Sequence, residues 1–317
     1  MGRGMPDPAG ETGSEGVPIF QAVVTRFNMV LPSLHRSQYR IAESAMADWL
    51  AARTAIFETI CLPSMLRQTR RPDAWLIGFD GLRKDAVTKM LDIMRPHPWI
   101  VPVWQTAPEG KHNGLEPTFV RGLLPMLKSE QTWTLTTRLD SDDALNLSHC
   151  QAVHRHARSV IDSRKVESEF WISFPRGVQL SKGDCRILRQ ENNAFLSRCV
   201  QVSRKDRPKE ATVLARNHKQ ALRDSKCYLL SSERPMWLQY VHGTNLKNFV
   251  RTFVRPTKDA GAVLAEFGLG SEVLAYKPPA IDPAVLFSGP RPTSVSGNGT
   301  GLRGLLRNLR NRLSGRL

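Results

Sequence analysis

Long apolar runs are missing from this chain of 317 residues. A transmembrane helix needs about 20 consecutive apolar residues, and no stretch approaches that length. The first 16 residues are rich in Gly, Pro and Glu and lack the hydrophobic core of a secretory signal. We therefore predict that residues 1–16 are disordered and that the protein is cytoplasmic.

Cysteine is scarce, and the five cysteines are scattered along the chain. None lies in a C-x-x-C pair or in a Cys/His spacing typical of zinc ligands. Their odd number and irregular spacing do not indicate a disulfide framework. We expect free, mostly buried thiols and no structural zinc site.

Acidic residues are also few relative to basic ones, 29 against 45, which gives a formal net charge of +16. Such a surface attracts phosphates, nucleic acid or anionic lipid, and the charge alone does not choose among them. With 41% hydrophobic residues, the chain is long enough to bury the core of one large domain.

Apolar strands alternate with helices through the first half of the chain. The predicted strands are residues 19–25, the segment RRPDAWLIGFDG ending at Asp80, residues 99–104 and residues 133–139. The predicted helices are residues 49–68 with a kink or restart at Pro63, and residues 83–94, 117–128 and 147–161. This alternation predicts an α/β fold with a mostly parallel central sheet flanked by helices.

Beyond residue 169 the pattern changes to short extended pieces, FWISF, GVQL and CRILR. We expect an irregular second half that covers the sheet's ligand-binding edge. Residues 283–301 have the composition of a linker.

The last segment, residues 302–317, combines five arginines with leucines on one helical face, namely Leu302, Leu305, Leu306, Leu309 and Leu313. This pattern is typical of an amphipathic helix on an anionic membrane surface, which would place the protein peripherally on the inner membrane face. A disordered basic tail is the alternative interpretation.

The strongest local signal is the acidic cluster Asp140-Ser141-Asp142-Asp143, which follows an apolar strand. Three carboxylates so close together repel one another unless a cation holds them, and oxygen ligands suit Mg²⁺ or Mn²⁺. Asp80 ends another strand, and the carboxyl edge of an open α/β sheet is where ligands bind. The alternative is an acidic turn that caps the following helix.

The order LPSMLRQTRRPDAWLIGFDG, GKHNGLEPTFVRGL and WTLTTRLDSDDAL resembles the pattern of GT-A glycosyltransferases. More narrowly, the RFN strand end, TRLDSDDAL, NAFLS and MWLQYVHGTN resemble bacterial proteins described as rhamnosyltransferases, over about residues 19–250. The resemblance implies a GT-A-like nucleotide-diphospho-sugar transferase fold over residues 17–282. It further implies a nucleotide-sugar-binding half over residues 17–150 and an acceptor-side half over residues 151–282.

The implied function is metal-dependent transfer of a sugar, with rhamnose as the suggested donor sugar. The donor would be a nucleotide diphosphate sugar, and the acceptor a hydroxyl of a glycan or lipid-linked acceptor in surface polysaccharide synthesis. Many relatives have two acids in a row where this chain has Phe79-Asp80-Gly81, which leaves the nucleotide's identity open.

The family's functional residues transfer to five positions in this chain. Asp80 matches the acid that binds the base or ribose, and Asp140 matches the first D-x-D acid, which faces the ribose or metal-bound water. Asp142 matches the metal ligand at the diphosphate, and Asp143 would support the metal or face the sugar. His242 matches a late histidine that returns to the metal, which suits Mn²⁺. Without the resemblance, a core or turn histidine is the slightly favoured interpretation of His242, and with it the two interpretations stand even.

Three further residues are candidates for binding the donor. Arg26 and Arg138 flank strand ends and would neutralise the diphosphate, although each could instead be an ordinary ion-pair partner. Trp237 would stack on a sugar ring, although tryptophan is more often a core residue.

An inverting transfer also requires a general base for the acceptor hydroxyl. Asp184, Glu191 and Glu233 in the second half are candidates, together with Asp143, and none is distinguished by its surroundings in the sequence.

Two other function classes stay open at this point. One is a basic protein that binds nucleic acid or an anionic membrane without catalysis. The other is a metal-dependent nucleotidyltransferase or phosphohydrolase, because these enzymes also gather carboxylates at strand ends. Basic residues that are spread rather than interleaved with aromatics argue against specific nucleic-acid binding.

Overall fold

The computed structural model describes residues 17–29, 41–106, 115–164, 168–206, 208–242, 250–251 and 254–281. The predicted disordered segment 1–16, the linker 283–301 and the basic helix 302–317 all lie outside these residues. Within the described part, no helix is long and apolar enough to cross a membrane.

Eleven strands are present in the described residues. They are β1 Ile19–Arg26, β2 Ala74–Asp80, β3 Ile100–Gln105, β4 Gln131–Arg138, β5 Ala144–Leu145, β6 Glu169–Ser173, β7 Arg176–Ser181, β8 Asp184–Arg189, β9 Ser197–Ser203, β10 Cys227–Leu229 and β11 Trp237–Tyr240. Seven of them form a large sheet in the order β10-β6-β9-β4-β1-β2-β3, and the other four form a small sheet in the order β5-β11-β7-β8.

The described α-helices are α1 Met46–Ile56, α2 Leu62–Leu66, α3 Thr88–Met94, α4 Leu115–Leu123, α5 His149–Asp162, α6 His218–Asp224 and α7 Ala260–Ala265. Short 3-10 turns lie at Glu43–Ala45, Asp85–Val87, Leu124–Met126, Val213–Ala215 and Ser271–Ala275. The predicted helix 83–94 therefore begins later than expected, because residues 80–83 form a turn in which Arg83 N–H bonds the Asp80 carbonyl.

The centre of the large sheet is parallel. Strand β1 pairs in parallel with β2 and β4, and β2 pairs in parallel with β3. Alternate residues of these strands enter two separate hydrophobic clusters, so both faces of the sheet are buried. The predicted α/β fold with a mostly parallel central sheet is confirmed.

Pro63 interrupts the helix that begins at Met46, as predicted. Phe57–Cys61 is π-helical, and the Leu62 N–H bonds the Phe57 carbonyl five residues back. Proline has no N–H and its ring clashes with the carbonyl four residues earlier. The wider π turn relieves that clash, so that the chain continues into α2 with Pro63 in its first turn.

The second half is more regular than predicted. FWISF overlaps β6, which joins the large sheet through the antiparallel strand β9. GVQL and CRILR lie in the hairpin β7–β8 of the small sheet. Both β4 and β6 run antiparallel to β9, so their carboxyl ends lie at the same edge of the large sheet.

Candidate functional site

Three neighbouring parallel strands end in charged residues at one edge of the large sheet. Strand β1 ends at Arg26, β2 at Asp80 and β4 at Arg138, and the acidic cluster Asp140–Asp143 follows β4 directly. The sequence prediction that these side chains share the carboxyl edge is confirmed. The charges are concentrated there because each strand is uncharged up to its last residue.

Asp140 is held between two arginines. Arg26 donates from Nη2 to Oδ1 (2.8 Å), and Arg138 donates from Nη2 to Oδ2 (3.0 Å). Burial opposes ionisation of Asp140, but Arg138 and Arg26 outweigh it and hold the pKa of this carboxyl well below its usual value. Both arginines are therefore ion-pair partners inside the site, rather than on the open surface.

Asp142 contacts His242, which lies 100 residues later in the chain. The distance from His242 Nε2 to Asp142 Oδ2 is 3.1 Å, and both side chains are almost entirely buried. Burial opposes ionisation of Asp142, but the hydrogen bond from His242 and the charge of Arg53 lower its pKa overall. Asp142 and His242, which the sequence analysis assigned to one metal site, thus lie in direct contact.

Asp143 connects the acidic cluster to the small sheet. Its Oδ1 accepts a hydrogen bond from the backbone N–H of Tyr240 (2.9 Å), the last residue of β11. Burial, then the charges of Asp142 and Asp140, raise the pKa of Asp143 well above its usual value. Because His242 follows Tyr240 by two residues, this bond helps to place the histidine beside the cluster.

Asp80 is buried at the end of β2, and its carboxylate shapes the turn that follows. Oδ1 accepts the Leu82 N–H (3.0 Å), and Oδ2 lies 3.5 Å from Arg83 Nε. The Asp80 N–H donates to Oδ1 of Asn28 (2.9 Å), which leaves the buried Nδ2 of Asn28 without a protein partner among the described residues. Asn28 belongs to the RFN strand end, the signal by which the sequence could have identified it.

Residues 22–252 match the protein family described as "Putative rhamnosyl transferase". This match covers well over half of the chain. The chain belongs to this family. Membership confirms, at the level of the family, the expectation of a glycosyltransferase. It favours this class over the two other function classes considered from the sequence. No curated protein matches the chain.

Solved structures show weaker likenesses. A fragment of S. aureus TarS, residues 1–349 in complex with UDP, has a TM-score of 0.35 and 12% identity, covering 70% of this chain and 60% of that one. The 4-diphosphocytidyl-2C-methyl-D-erythritol synthase of Anaerococcus prevotii DSM 20548 has a TM-score of 0.28 and 11% identity, covering 81% of this chain and 96% of that one. The chain thus spans 60% of the length of the TarS fragment.

The sequence analysis did not identify two residues of the site in this member of the rhamnosyl transferase family. The positive charge of Arg53 on α1 helps to lower the pKa of Asp142. The Arg53 guanidinium packs over the ring of Trp49, 5.2 Å from its centroid. Cys61, in the π-helical turn, points its thiol at the Asp140 carbonyl (3.9 Å), and burial raises its pKa, so that it stays protonated. An arginine and a cysteine inside a helix carry no local pattern that would identify them.

The prediction that Trp237 stacks on a sugar is wrong. Its side chain is 2% exposed, it stacks on Phe195 at 5.0 Å, and its Nε1 donates to the Phe174 carbonyl (2.8 Å). A Cβ at Gly177 would lie 2.1 Å from the indole, so the backbone there packs directly against the ring. No face of the ring is left for a ligand, because Trp237 fills the core beneath the site.

The predicted bases lie in three different places. Asp184 begins β8 and pairs with Arg186 (2.8 Å), and Glu233 is exposed on the connection between β10 and β11. Glu191 lies 3.7 Å from Arg189 and lines a cleft of about 780 Å³. The cleft's other lining residues are Arg189, Gln190, Asn192, Leu222, Ser225, Cys227 and Leu229.

Glu191 is connected to the carboxyl edge of the large sheet. Its carbonyl accepts a hydrogen bond from Ser173 Oγ (2.9 Å), at the end of β6. Strands β6 and β4 lie on either side of β9, so their ends are about 10 Å apart. Among the three second-half acids, Glu191 is the one that the structure places both at a cleft and beside this edge.

The residues at the edge fit a divalent cation only in part. In the described part of the chain, no group of three or more His, Cys, Asp or Glu side chains is arranged to hold a metal ion. Asp142 and His242 supply one carboxylate oxygen and one imidazole nitrogen, which suit Mn²⁺ or Mg²⁺ when substrate oxygens and water complete the coordination. Asp140 is engaged by two arginines, which makes it the weaker of the two acids predicted as metal ligands.

Proposed function

We propose that this protein transfers a sugar, with rhamnose as the first candidate, from a nucleoside diphosphate to a hydroxyl of a glycan or lipid-linked acceptor. The reaction would belong to surface polysaccharide synthesis. The observation that carries the proposal is the contact between Asp142 and His242 at the carboxyl edge of a parallel sheet. It joins a D-x-D acid to a distant histidine, at the position where the resemblance of the sequence to GT-A glycosyltransferases implies that the donor diphosphate binds.

The nucleoside would bind at the ends of β1 and β2. Asn28 carries a buried amide nitrogen without a protein partner, and such a group is costly to leave unsatisfied. A carbonyl of the base or a ribose hydroxyl would accept its hydrogen bond. Asp80 fixes Asn28 through its backbone N–H and would itself contact the ribose, as the sequence predicts.

The diphosphate would lie between the basic residues and the Asp142–His242 pair. Arg26 and Arg138 bring two positive charges against the single charge of Asp140, so the group keeps a net positive charge toward the donor. A divalent cation held by Asp142 and His242 would neutralise the charge that develops on the departing nucleoside diphosphate.

The acceptor would bind in the cleft lined by Glu191, and Glu191 is our first candidate for the general base. It would take the proton of the acceptor hydroxyl as that oxygen bonds to the sugar's anomeric carbon. The bond from that carbon to the diphosphate oxygen breaks in the same step. Asp184 and Glu233 stay as second candidates for this role, whereas buried Asp143 is better suited to positioning β11.

A screen of nucleotide sugars with Mn²⁺ tests the proposal. Release of nucleoside diphosphate, followed by chromatography, should occur with at least one nucleotide sugar and should stop when the metal is chelated. Asp142→Asn keeps the shape of the side chain and should lower the rate by roughly a hundredfold or more, because it removes a metal ligand. Asp92→Asn, at an exposed ion pair with Arg95, serves as the control and should leave the rate unchanged.

If no nucleotide sugar is turned over, with or without a range of glycan acceptors, the proposed reaction is wrong. Turnover that persists with chelator and in Asp142→Asn would keep the reaction but exclude the metal site.

A further inference from the structure

A second concave site lies near the amino end of β1, away from the acidic cluster at the carboxyl edge of the large sheet. The turn after α2 and the exposed face of α5 enclose a cavity of about 600 Å³. Its lining residues are Thr69, Arg70, Arg71, Gln151, His154, Arg155 and Arg158. Four of these seven are arginines, and none is an acid.

The groove, as we name this cavity, is separate from the proposed donor site. Arg70 contacts Gln21 near the start of β1, whereas Arg26 at the end of β1 contacts Asp140. Five residues of extended strand span about 16 Å. The groove therefore faces the amino edge of the sheet, and the proposed transfer reaction does not use it.

Three of the arginines are held in place by uncharged groups. Arg70 donates from Nε to the side-chain oxygen of Gln21 (3.1 Å), and Arg158 donates from Nη1 to the Val17 carbonyl (3.3 Å). Arg71 packs over the ring of Trp99, 5.9 Å from its centroid. These partners orient the guanidinium groups without neutralising their charge.

Nearby acids balance little of this charge. Asp162 lies 3.8 Å from Arg158 and is more than half exposed, so the pair is weak. Asp73 accepts the Gln21 backbone N–H (2.8 Å) at the base of β2. Among the described residues, no carboxylate pairs with Arg155 or Arg71. Burial, then the charges of Arg70 and Arg158, lower the pKa of His154, so that it is neutral at physiological pH.

Like charges gathered in a concave site repel one another and cost stability unless an anion binds there. Guanidinium groups match phosphate oxygens in a planar, two-point geometry, and several in one groove favour a ligand with more than one negative charge. Thr69 and Gln151, whose side chains bond each other (3.0 Å), add neutral polar atoms to the lining.

We propose that the groove lined by Arg70, Arg71, Arg155 and Arg158 binds a multiply charged phosphate group. This group is either the headgroup of an anionic phospholipid or part of a soluble phosphate compound. The site is independent of the proposed sugar transfer and would tether the enzyme or regulate it from the opposite edge of the sheet.

The test uses the full chain with EDTA present, so that metal-dependent binding at the acidic cluster does not contribute. Pyrophosphate binding is measured by isothermal titration calorimetry. Binding to vesicles is measured by co-sedimentation, comparing cardiolipin, whose headgroup carries two phosphates, with phosphatidylcholine. The groove variant is Arg71→Glu/Arg155→Glu, which changes two exposed residues. The control is Lys128→Glu/Lys209→Glu, which makes the same change in charge at exposed lysines outside the groove.

The groove variant should lose about tenfold or more in affinity, since each charge-assisted hydrogen bond to phosphate contributes about one order of magnitude. The control variant should stay within about threefold of the wild type, because only the general surface field changes. Thermal unfolding of both variants checks that they are folded.

The two ligands separate the possible sources. A selective loss of cardiolipin binding assigns a lipid headgroup, and a selective loss of pyrophosphate binding alone assigns a soluble phosphate compound. Equal losses in the groove and control variants, or no binding of either ligand by the wild type, would overturn the proposal.

Discussion

Three carboxylates lie within four residues, those of Asp140, Asp142 and Asp143. The repulsion between them is relieved in a different way at each residue. Two arginines bracket Asp140, His242 pairs with Asp142, and burial beside these charges favours the protonated form of Asp143. The sequence argument that a metal must hold the three acids together is therefore not needed. The metal prediction now rests on the pairing of Asp142 with His242.

Trp237 gives a test at the scale of a single residue. Trp237→Ala should lower the free energy of unfolding by about 3–5 kcal/mol, because it empties a closed core site and leaves the Phe174 carbonyl unsatisfied. Urea unfolding measures this loss. Trp104→Ala, at a partly exposed tryptophan of β3, is the matched control and should cost less. A small loss of stability at Trp237, accompanied by a raised KM for the donor, would restore the sugar-stacking interpretation.

At the scale of elements, the first half of the chain was predictable and the second half was less so. Strands β1, β2 and β4 are buried on both faces; β1 and β2 read as mostly apolar runs, and β4 as an uncharged run rich in threonine. Strand β9 was missed because it contains Arg198, whose buried guanidinium is satisfied by Glu169 on β6 (2.7 Å). That partner lies 29 residues away, and a local pattern does not reveal it.

Helix α4 is attached to the segment after β9 by Glu116. Its Oε1 accepts the backbone N–H groups of Ala211 and Thr212 (both 2.7 Å), and the Thr212 hydroxyl donates to Oε2. Glu116→Ala should cost about 3 kcal/mol because these groups lose their acceptor. Glu116→Gln keeps a side-chain oxygen that accepts the backbone N–H groups of Ala211 and Thr212, so this substitution should be tolerated.

The pH dependence at Glu116 follows from its environment. Burial raises its pKa, and the hydrogen bonds from Thr212 and Ala211 only partly offset that rise. A carboxyl group with a raised folded pKa loses stabilisation as pH rises from the unfolded value, about 4.3, through the folded value. Urea unfolding across this range should show a decline in stability in the wild type that Glu116→Gln lacks. Parallel pH profiles for the two proteins would contradict this account.

For the whole molecule, the position of the site was predictable because parallel strands end at one edge. That rule brought Arg26, Asp80, Arg138 and the acidic cluster together from sequence alone. The contribution of Arg53 depends on how α1 packs against the sheet, and the burial of Trp237 depends on the small sheet. Both follow from long-range packing, which residue patterns do not encode.

The C-terminal segment gives a prediction for the whole chain. Deleting residues 302–317 should weaken co-sedimentation with phosphatidylglycerol vesicles, because the deletion removes five arginines and a leucine stripe. A tail of the same composition with the leucines distributed around the helix is the matched control and should bind more weakly than the native tail. Unchanged vesicle binding after the deletion would refute the membrane role of this segment.

The central claim is that Asp142 and His242 hold a divalent cation at the donor diphosphate. Isothermal titration calorimetry of nucleoside diphosphates, UDP among them, with and without Mn²⁺ tests it most directly. We predict that binding requires Mn²⁺ in the wild type and falls by roughly a hundredfold in Asp142→Asn, while Asp92→Asn binds like the wild type. Equal affinity of wild type and Asp142→Asn in the presence of Mn²⁺ would contradict the account.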